Sequence, residues 1–371
     1  MPPAATYPPM DVAGRASRLR ARFDEVGCDA LVVSRLVNTR YLTGFTGSAG
    51  VLVVTSDELV LVTDGRYRDQ AGEQLAAAGV DGRVEVGQTA AEQQELLVGA
   101  VRGISRLGLE AAHVSWATQR RWAGEWFPES ELVPTEGMVE GLRQHKDEGE
   151  LARMAAAAAL ADAALAAVRP RLAEGPTEAE VALELDTEVR RLGATGASFE
   201  TIVASGPNGA RPHARPGPRR IVEGDLVVVD FGATVEGYRS DMTRTTIVGS
   251  PTPVQERMLE VVAASQAAGV AAVRAGTECV DVDRACREVI EEAGWAEAFL
   301  HGTGHGVGLD IHEDPRVAKS STATLEADHV VTVEPGVYLP EHGGVRIEDT
   351  IVVTPTGSRP LTHAPKDPHL P

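Results

Sequence analysis

Cysteine, basic charge and long apolar runs are all in short supply in this sequence. It has three cysteines, Cys28, Cys279 and Cys286, among 371 residues. They show neither zinc-ligand spacing nor the density of a disulfide scaffold, so reduced packing residues are expected. Lysine and arginine together number 35 against 54 acidic residues, giving a formal charge of −19 and a pI near 5.0. A chain so charged has no basic face with which to displace counterions from a phosphate backbone, and no nucleic acid partner is expected. The acidic excess itself reads as a solvated, self-repelling surface.

The most apolar stretch, MAAAAALADAALAAV at 154–168, covers 15 residues, is largely alanine and contains Asp162. It reads as too short and too weak to span a bilayer. The opening, MPPAATYPPMDVAGRASR, has no basic patch leading into an apolar core, so no secretory signal is expected. Residues 1–10 are expected to form a flexible, proline-rich tail. A soluble, cytoplasmic protein without a membrane partner follows as the expectation.

What is present is globular material: 43% hydrophobic and 24% charged residues over a length that suggests two domains. From residue 11 to 146 helical and strand patterns alternate: an amphipathic helix, then ALVVSR, GVLVVTS and ELVLVTD, then helices around YRDQAGEQLAAAG and VSWATQRRWAGEWF. This reads as a small α/β domain. The second domain, 147–371, opens with the charged segment HKDEGELARM, suited to the positive end of a helix dipole. A further helix follows Pro176 and runs to the Gly193 region, then strands to Gly249. Helices from Pro253 to about Glu292 and strands to Val353 repeat that order, predicting a two-fold α+β assembly.

Chemistry concentrates in the second domain. VVVDFGATVEGYRSDMTRTTIV reads as two strands joined by a turn near Val235, Glu236 and Gly237. Asp230 and Asp241 lie equidistant from it, which predicts directly opposed side chains with Cβ atoms roughly 4.5–5.5 Å apart. In VVTVEPGVYLPEHGGVRIEDTIVV, Glu334 and Glu348 are centred on Glu341, predicting a second opposed pair. Like charges across a ladder, set among valines and isoleucines, are destabilising unless a cation neutralises them. Between the hairpins, HGTGHGVGLDIHEDP supplies His301, His305 and His312 on a glycine-rich segment. A carboxylate-rich set with imidazole favours manganese, cobalt or iron, with zinc possible. Shared carboxylates suggest two divalent ions roughly 3.5–4 Å apart with a hydroxide between them.

At these residues the sequence resembles the creatinase and methionine aminopeptidase superfamily, within it the proline-specific branch of aminopeptidase P and prolidase. DFGATVEGYRSDMTRT, HGTGHGVGLDIHE, VEPGVY and GVRIED match its motifs in order and spacing. NTRYLTGFTGSAG and DGRY carry a weaker likeness into the first domain. The resemblance implies a C-terminal pita-bread domain behind a creatinase-like N-terminal domain. It also implies a homodimer in which the N-terminal domain helps to border the partner's active site.

Carried over residue by residue, Asp230 would chelate one metal, Asp241 and Glu348 would bridge both, and His305 with Glu334 would bind the other, giving two divalent ions per subunit, with manganese expected. Glu334 is also the implied proton acceptor. His213, in ASGPNGARPHARPG, matches a histidine that contacts substrate near the scissile bond, and His312 one that stabilises the tetrahedral intermediate. His301 matches another active-site histidine, and Tyr338 and Arg346 match substrate-side or supporting positions. Arg346, two residues from Glu348, would share its strand face and orient the carboxylates. Tyr338 reads equally as a core residue. His113, His145, His363 and His369 read as ordinary structural or solvated residues, and Trp116, Trp122 and Trp126, at near-helical spacing, as packing residues.

The activity implied is hydrolysis of the Xaa-Pro bond at the N-terminus of proline-containing peptides. The leaning is towards an Xaa-Pro aminopeptidase, because the first domain resembles short aminopeptidase P-like chains; the alternative is a prolidase restricted to dipeptides. Two further relatives set the rival readings. Creatinase-like amidine hydrolysis proceeds without metal, and non-enzymatic binding modules of this fold have lost ligands that are intact here.

Overall fold

In the computed structural model the described residues are 7–370. The chain divides between Arg143 and Gln144 into two compact units, with Tyr7 and Pro8 belonging to the second.

The N-terminal unit is built on a six-stranded mixed sheet. Its strands are β1 (Ala30–Val33), β2 (Val51–Thr55), β3 (Leu59–Thr63), β4 (Arg83–Val86), β5 (Arg106–Glu110) and β6 (Glu131–Thr135), in the order β4-β3-β2-β1-β5-β6. The central strands β1, β2 and β3 are almost wholly buried runs of Val and Leu, as expected where helices cover both faces of a sheet. Trp122 is buried among Val53, Val60 and Leu107 and stacks near Trp126 and Phe127. Trp116, expected to pack, is instead 74% exposed, because it opens its helix on the solvent side.

The C-terminal unit repeats one plan twice. The helices Glu148–Val168 and Glu178–Leu192 precede β7 (Gly196–Ala197), β8 (Ile202–Ser205), β9 (Leu226–Phe231), β10 (Ala233–Val235), β11 (Tyr238–Arg239) and β12 (Met242–Ile247). The helices Pro253–Ala272 and Cys279–Glu292 precede β13 (Gly304–Gly306), β14 (Glu313–Val317), β15 (Val330–Val333), β16 (Gly336–Leu339), β17 (Gly343–Arg346), β18 (Asp349–Thr354) and β19 (Gly357–Pro360). Three of the four helices start in capping boxes, Asp147 with Glu150, Thr177 with Glu180 and Thr252 with Gln255, each satisfying two otherwise orphaned backbone donors. Each half has its own core. In the first, Ala161, Ala164, Leu165 and Leu185 meet Val227, Val229 and Phe231; in the second, Met258, Val262 and Cys286 meet Val331, Val333 and Ile351.

The helix Glu148–Val168 is longer than the alanine-rich stretch suggests, and by length and composition it is apolar enough to cross a membrane. Here one stripe of it, Met154, Ala157, Ala158, Ala161, Ala164, Leu165 and Val168, is buried in the unit. Asp162 accepts bonds from the backbone amides of His363 and Ala364 at 2.8 and 2.9 Å, which ties the C-terminal segment to the helix. The part of the expected tail that is described is also held. Arg153 donates to the Pro8 carbonyl at 3.0 Å and lies over the Tyr7 ring, while residues 1–6 lie outside the described residues.

The two hairpins differ in how closely they follow the sequence pattern. In the second, Gly336 pairs with Arg346 and Val333 with Asp349, so the ladder is centred on Glu341 and Glu334 stands across from Glu348 as predicted. The first needs correction. Its tight turn is Glu236–Gly237, both at positive φ (44° and 80°), as a two-residue turn matching strand twist requires. Val235 therefore pairs with Tyr238, and Asp230 with Thr243 rather than Asp241. Asp241, two residues before Thr243, is the diagonal neighbour of Asp230, still on its side of the ladder.

Candidate metal centre

Five side chains converge where the two hairpins meet in the C-terminal unit. Asp230 comes from the end of β9, Asp241 directly precedes β12, His305 is central in β13, Glu334 follows β15, and Glu348 precedes β18. His305 Nε2 lies 3.5 Å from both Asp241 Oδ2 and Glu334 Oε1. One ligand atom from each of Asp241, His305 and Glu348 falls within 4.8 Å of the others. His305 Nδ1 sits 2.9 Å from the Gly306 carbonyl, the hydrogen bond that leaves Nε2 as the free lone pair. Close approach at this strand needs glycine: a Cβ on Gly304 would fall 2.0 Å from the Thr332 carbonyl oxygen.

Two threonines that the sequence reading passed over hold the carboxylates. Thr243 Oγ1 donates to Glu348 Oε2 at 2.7 Å, and Thr332 Oγ1 donates to Glu334 Oε1 at 3.3 Å while accepting from the His305 amide. Each stands two residues from a carboxylate, Asp241 or Glu334, so strand alternation alone would place it on the same face.

A buried arginine organises the other side. Arg346 Nη2 bonds Asp230 Oδ2 at 2.6 Å, Nε bonds Thr243 Oγ1 at 3.1 Å, and Nη1 bonds the Tyr338 hydroxyl at 2.8 Å. Tyr338 OH in turn lies 2.9 Å from His301 Nε2, whose Nδ1 faces the Gly302 carbonyl. Asp230, Arg346, Tyr338 and His301 thus form one continuous chain of hydrogen bonds. Tyr338 is both readings at once: it is buried like a core residue, and its hydroxyl belongs to the site.

His312 and His213 are exposed at the rim. The His312 ring lies 4.3 Å from that of His305. His213 follows Pro212, whose carbonyl takes a 3.3 Å bond from Arg346 Nη1. The structure therefore brings all the sequence-predicted residues to one neighbourhood.

Burial drives the electrostatics. It pushes the Asp241, Glu334 and Glu348 carboxyls well above the usual carboxylate range, with Glu348 and Asp230 raising Asp241 further and Glu334 raising Glu348. The same desolvation lowers His305 to about 4 and His301 to about 4, keeping both rings neutral. Asp230 Oδ1 is buried with no hydrogen-bond partner among the described residues. An orphaned carboxylate oxygen, mutually repelling buried acids and a neutral imidazole with a free lone pair together form a donor set that fits hard or borderline divalent cations.

Two family profiles match the chain: that of the creatinase/prolidase N-terminal domain over residues 15–145 and that of metallopeptidase family M24 over residues 152–355. Among similar structures, an Xaa-Pro dipeptidase from Bacillus anthracis superposes with a TM-score of 0.92 at 37% identity, covering 96% of this chain and 99% of that one. An X-Pro aminopeptidase from Thermotoga maritima superposes at 0.86 and 32% identity, covering 95% and 99%. An Xaa-Pro dipeptidase from Pyrococcus furiosus is 33% identical over 95% of this chain and 99% of its own length. With the profile covering the carboxylate and histidine set, and the pita-bread unit following a creatinase-like one, the chain belongs to metallopeptidase family M24.

Proposed function

We propose that the protein is an Xaa-Pro dipeptidase, a prolidase, acting through two divalent ions per subunit. The observation that carries the reading is the convergence of Asp230, Asp241, His305, Glu334 and Glu348 with one carboxylate oxygen left orphaned. The aminopeptidase leaning of the sequence gives way here, because relatives and similar structures named for dipeptidase or prolidase activity recur among the matches. The Thermotoga maritima likeness supports a second reading, an Xaa-Pro aminopeptidase acting on longer peptides.

Asp230, Asp241, His305, Glu334 and Glu348 would hold the ions, with manganese the metal first to be tried. Bound there, they supply Lewis-acid polarisation of the scissile carbonyl and lower the pKa of the attacking water.

The chain's own residues do the rest. Glu334 Oε1, beside His305 and steadied by Thr332, accepts a proton from the water. His213 and His312, at the rim, donate to the carbonyl oxygen where charge develops. Arg346 keeps Asp230 aimed, and Tyr338 passes that constraint to His301 at the substrate side. The protein is further proposed to be a cytoplasmic homodimer, which sedimentation of purified protein tests. The functional test is hydrolysis by manganese-loaded protein of an Xaa-Pro dipeptide beside an Xaa-Pro-Xaa tripeptide. Cleavage of the dipeptide alone marks the dipeptidase, and cleavage of both, or of the tripeptide alone, marks the aminopeptidase.

A further inference from the structure

Glu178 opens the helix Glu178–Leu192, is 0% exposed and is not among the five candidate ligands. A carboxylate so placed is costly unless its oxygens are hydrogen-bonded. Oε1 accepts from the Ser205 amide at 2.8 Å, the Ser205 hydroxyl at 2.7 Å and Asn208 Nδ2 at 3.1 Å. Oε2 accepts from Asn208 Nδ2 at 3.1 Å and from the Gly217 amide at 3.1 Å. These donors all belong to one segment, residues 205–217, and they lie at its start and its end.

The middle of that segment carries His213, exposed at the rim of the metal centre. The helix backbone adds to the grip: the Glu178 and Ala179 amides, two of the donors that a helix start leaves orphaned, bond the Arg219 and Gly217 carbonyls at 3.0 and 3.1 Å. Arg219 donates to Ser205 Oγ and pairs with Asp225 at 2.6 Å, so a cation stands behind the same hydroxyl. On its other side the segment rests on β17. A Cβ on Gly344 would fall 1.9 Å from the Gly209 carbonyl oxygen, an approach that only glycine permits, and Arg346 Nη1 reaches the Pro212 carbonyl at 3.3 Å. Pro207, Pro212 and Pro216 each fix their own φ, which carries the constraint at the ends towards the middle.

The second half of the unit repeats the device. Asp283, buried on the helix Cys279–Glu292, accepts from the Thr303 amide and hydroxyl at 3.1 and 2.9 Å and pairs with Arg287 at 2.6 Å. Arg287 donates in turn to the Phe299 carbonyl at 3.2 Å and to the His301 carbonyl. In each half an acid from the second helix grips the segment that bears a histidine of the site.

We infer that Glu178 is a positioning residue: through Ser205, Asn208 and Gly217 it clamps residues 205–217 and thereby aims the His213 imidazole at the substrate side of the metal centre. What His213 does there rests on the peptidase function proposed above; how its segment is held rests on the hydrogen bonds alone. Glu178→Gln keeps the shape but turns one acceptor oxygen into a donor, so either the Ser205 end or the Gly217 end loses its partner. A displacement of about 1 Å passed on to His213 can cost about 10²-fold in rate.

Hydrogen exchange and a double-mutant cycle on the manganese-loaded protein test this together. Amides of residues 205–217 should exchange faster in Glu178→Gln and in Asn208→Ala than in wild type. Glu180→Ala, which removes a cap from the same helix through bonds made only to Thr177, should leave them unchanged. On an Xaa-Pro dipeptide kcat should fall about 10-fold or more in Glu178→Gln and in Asn208→Ala. Adding His213→Ala to either should then cost far less than it costs wild type, because both changes remove one function. Asn208 is half-buried, so its variant decides the matter where Glu178→Gln does not fold. Unchanged exchange across 205–217 in whichever variants fold, or losses in kcat that simply multiply with that of His213→Ala, overturns the inference. Should wild type turn over no Xaa-Pro substrate, the proposed function falls, while exchange still decides whether Glu178 holds the segment.

Discussion

Arg346 Nη2 sits 2.6 Å from Asp230 Oδ2, while Asp230 Oδ1 is buried and unpartnered among the described residues. One guanidinium thus fixes the carboxylate and leaves its other oxygen for a cation. The same guanidinium also holds Thr243 and Tyr338. Arg346→Lys keeps the charge but loses the planar fork. Metal affinity or activity should fall about 10–100-fold, the usual cost of removing a partner that orients a ligand. Metal titration and steady-state kinetics on the variant check this.

Thr243→Val removes the hydroxyl shared between Glu348 Oε2 and Arg346 Nε without changing shape. Leaving those buried polar groups short of a partner should cost about 1–3 kcal/mol of folding stability. Denaturant unfolding of the metal-free protein measures it, and metal affinity should weaken in parallel.

These threonines mark the limit of what the sequence made legible. The second hairpin was readable because its carboxylates are symmetric about Glu341. The first was misregistered because Glu236 adopts a positive φ usually left to glycine or asparagine, which moves the turn and pairs Asp230 with Thr243. Thr243 and Thr332 were missed because threonine in a strand looks like ordinary β-propensity; only its spacing from an acid hints at more.

Gly304→Ala should displace His305. The added Cβ would meet the Thr332 carbonyl oxygen at 2.0 Å, so β13 must shift away from β15. A ligand moved by about 1 Å can cost about 10²-fold in rate. Such a loss of kcat, with the fold retained by circular dichroism, is the expected outcome.

The metal-free protein should lose stability as pH rises. Asp241, Glu334 and Glu348 titrate above their unfolded values of about 3.9 and 4.3. The folded state therefore keeps protons that the unfolded chain has already released. The associated stability is fully present below about pH 4 and is lost as pH climbs through the raised folded values. A bound divalent ion removes the repulsion and reverses this trend. Melting temperatures with chelator and with manganese, compared across pH 5 to 8, should diverge as pH rises; parallel curves would contradict the electrostatic account.

The most direct measurement is the rate of Xaa-Pro dipeptide hydrolysis by protein stripped with chelator, then reloaded with manganese, with Asp241→Asn in parallel. Turnover should vanish when the protein is stripped, recover on reloading, and be absent from the variant. Turnover that survives stripping, or none from the fully loaded wild type on any Xaa-Pro substrate, would contradict it.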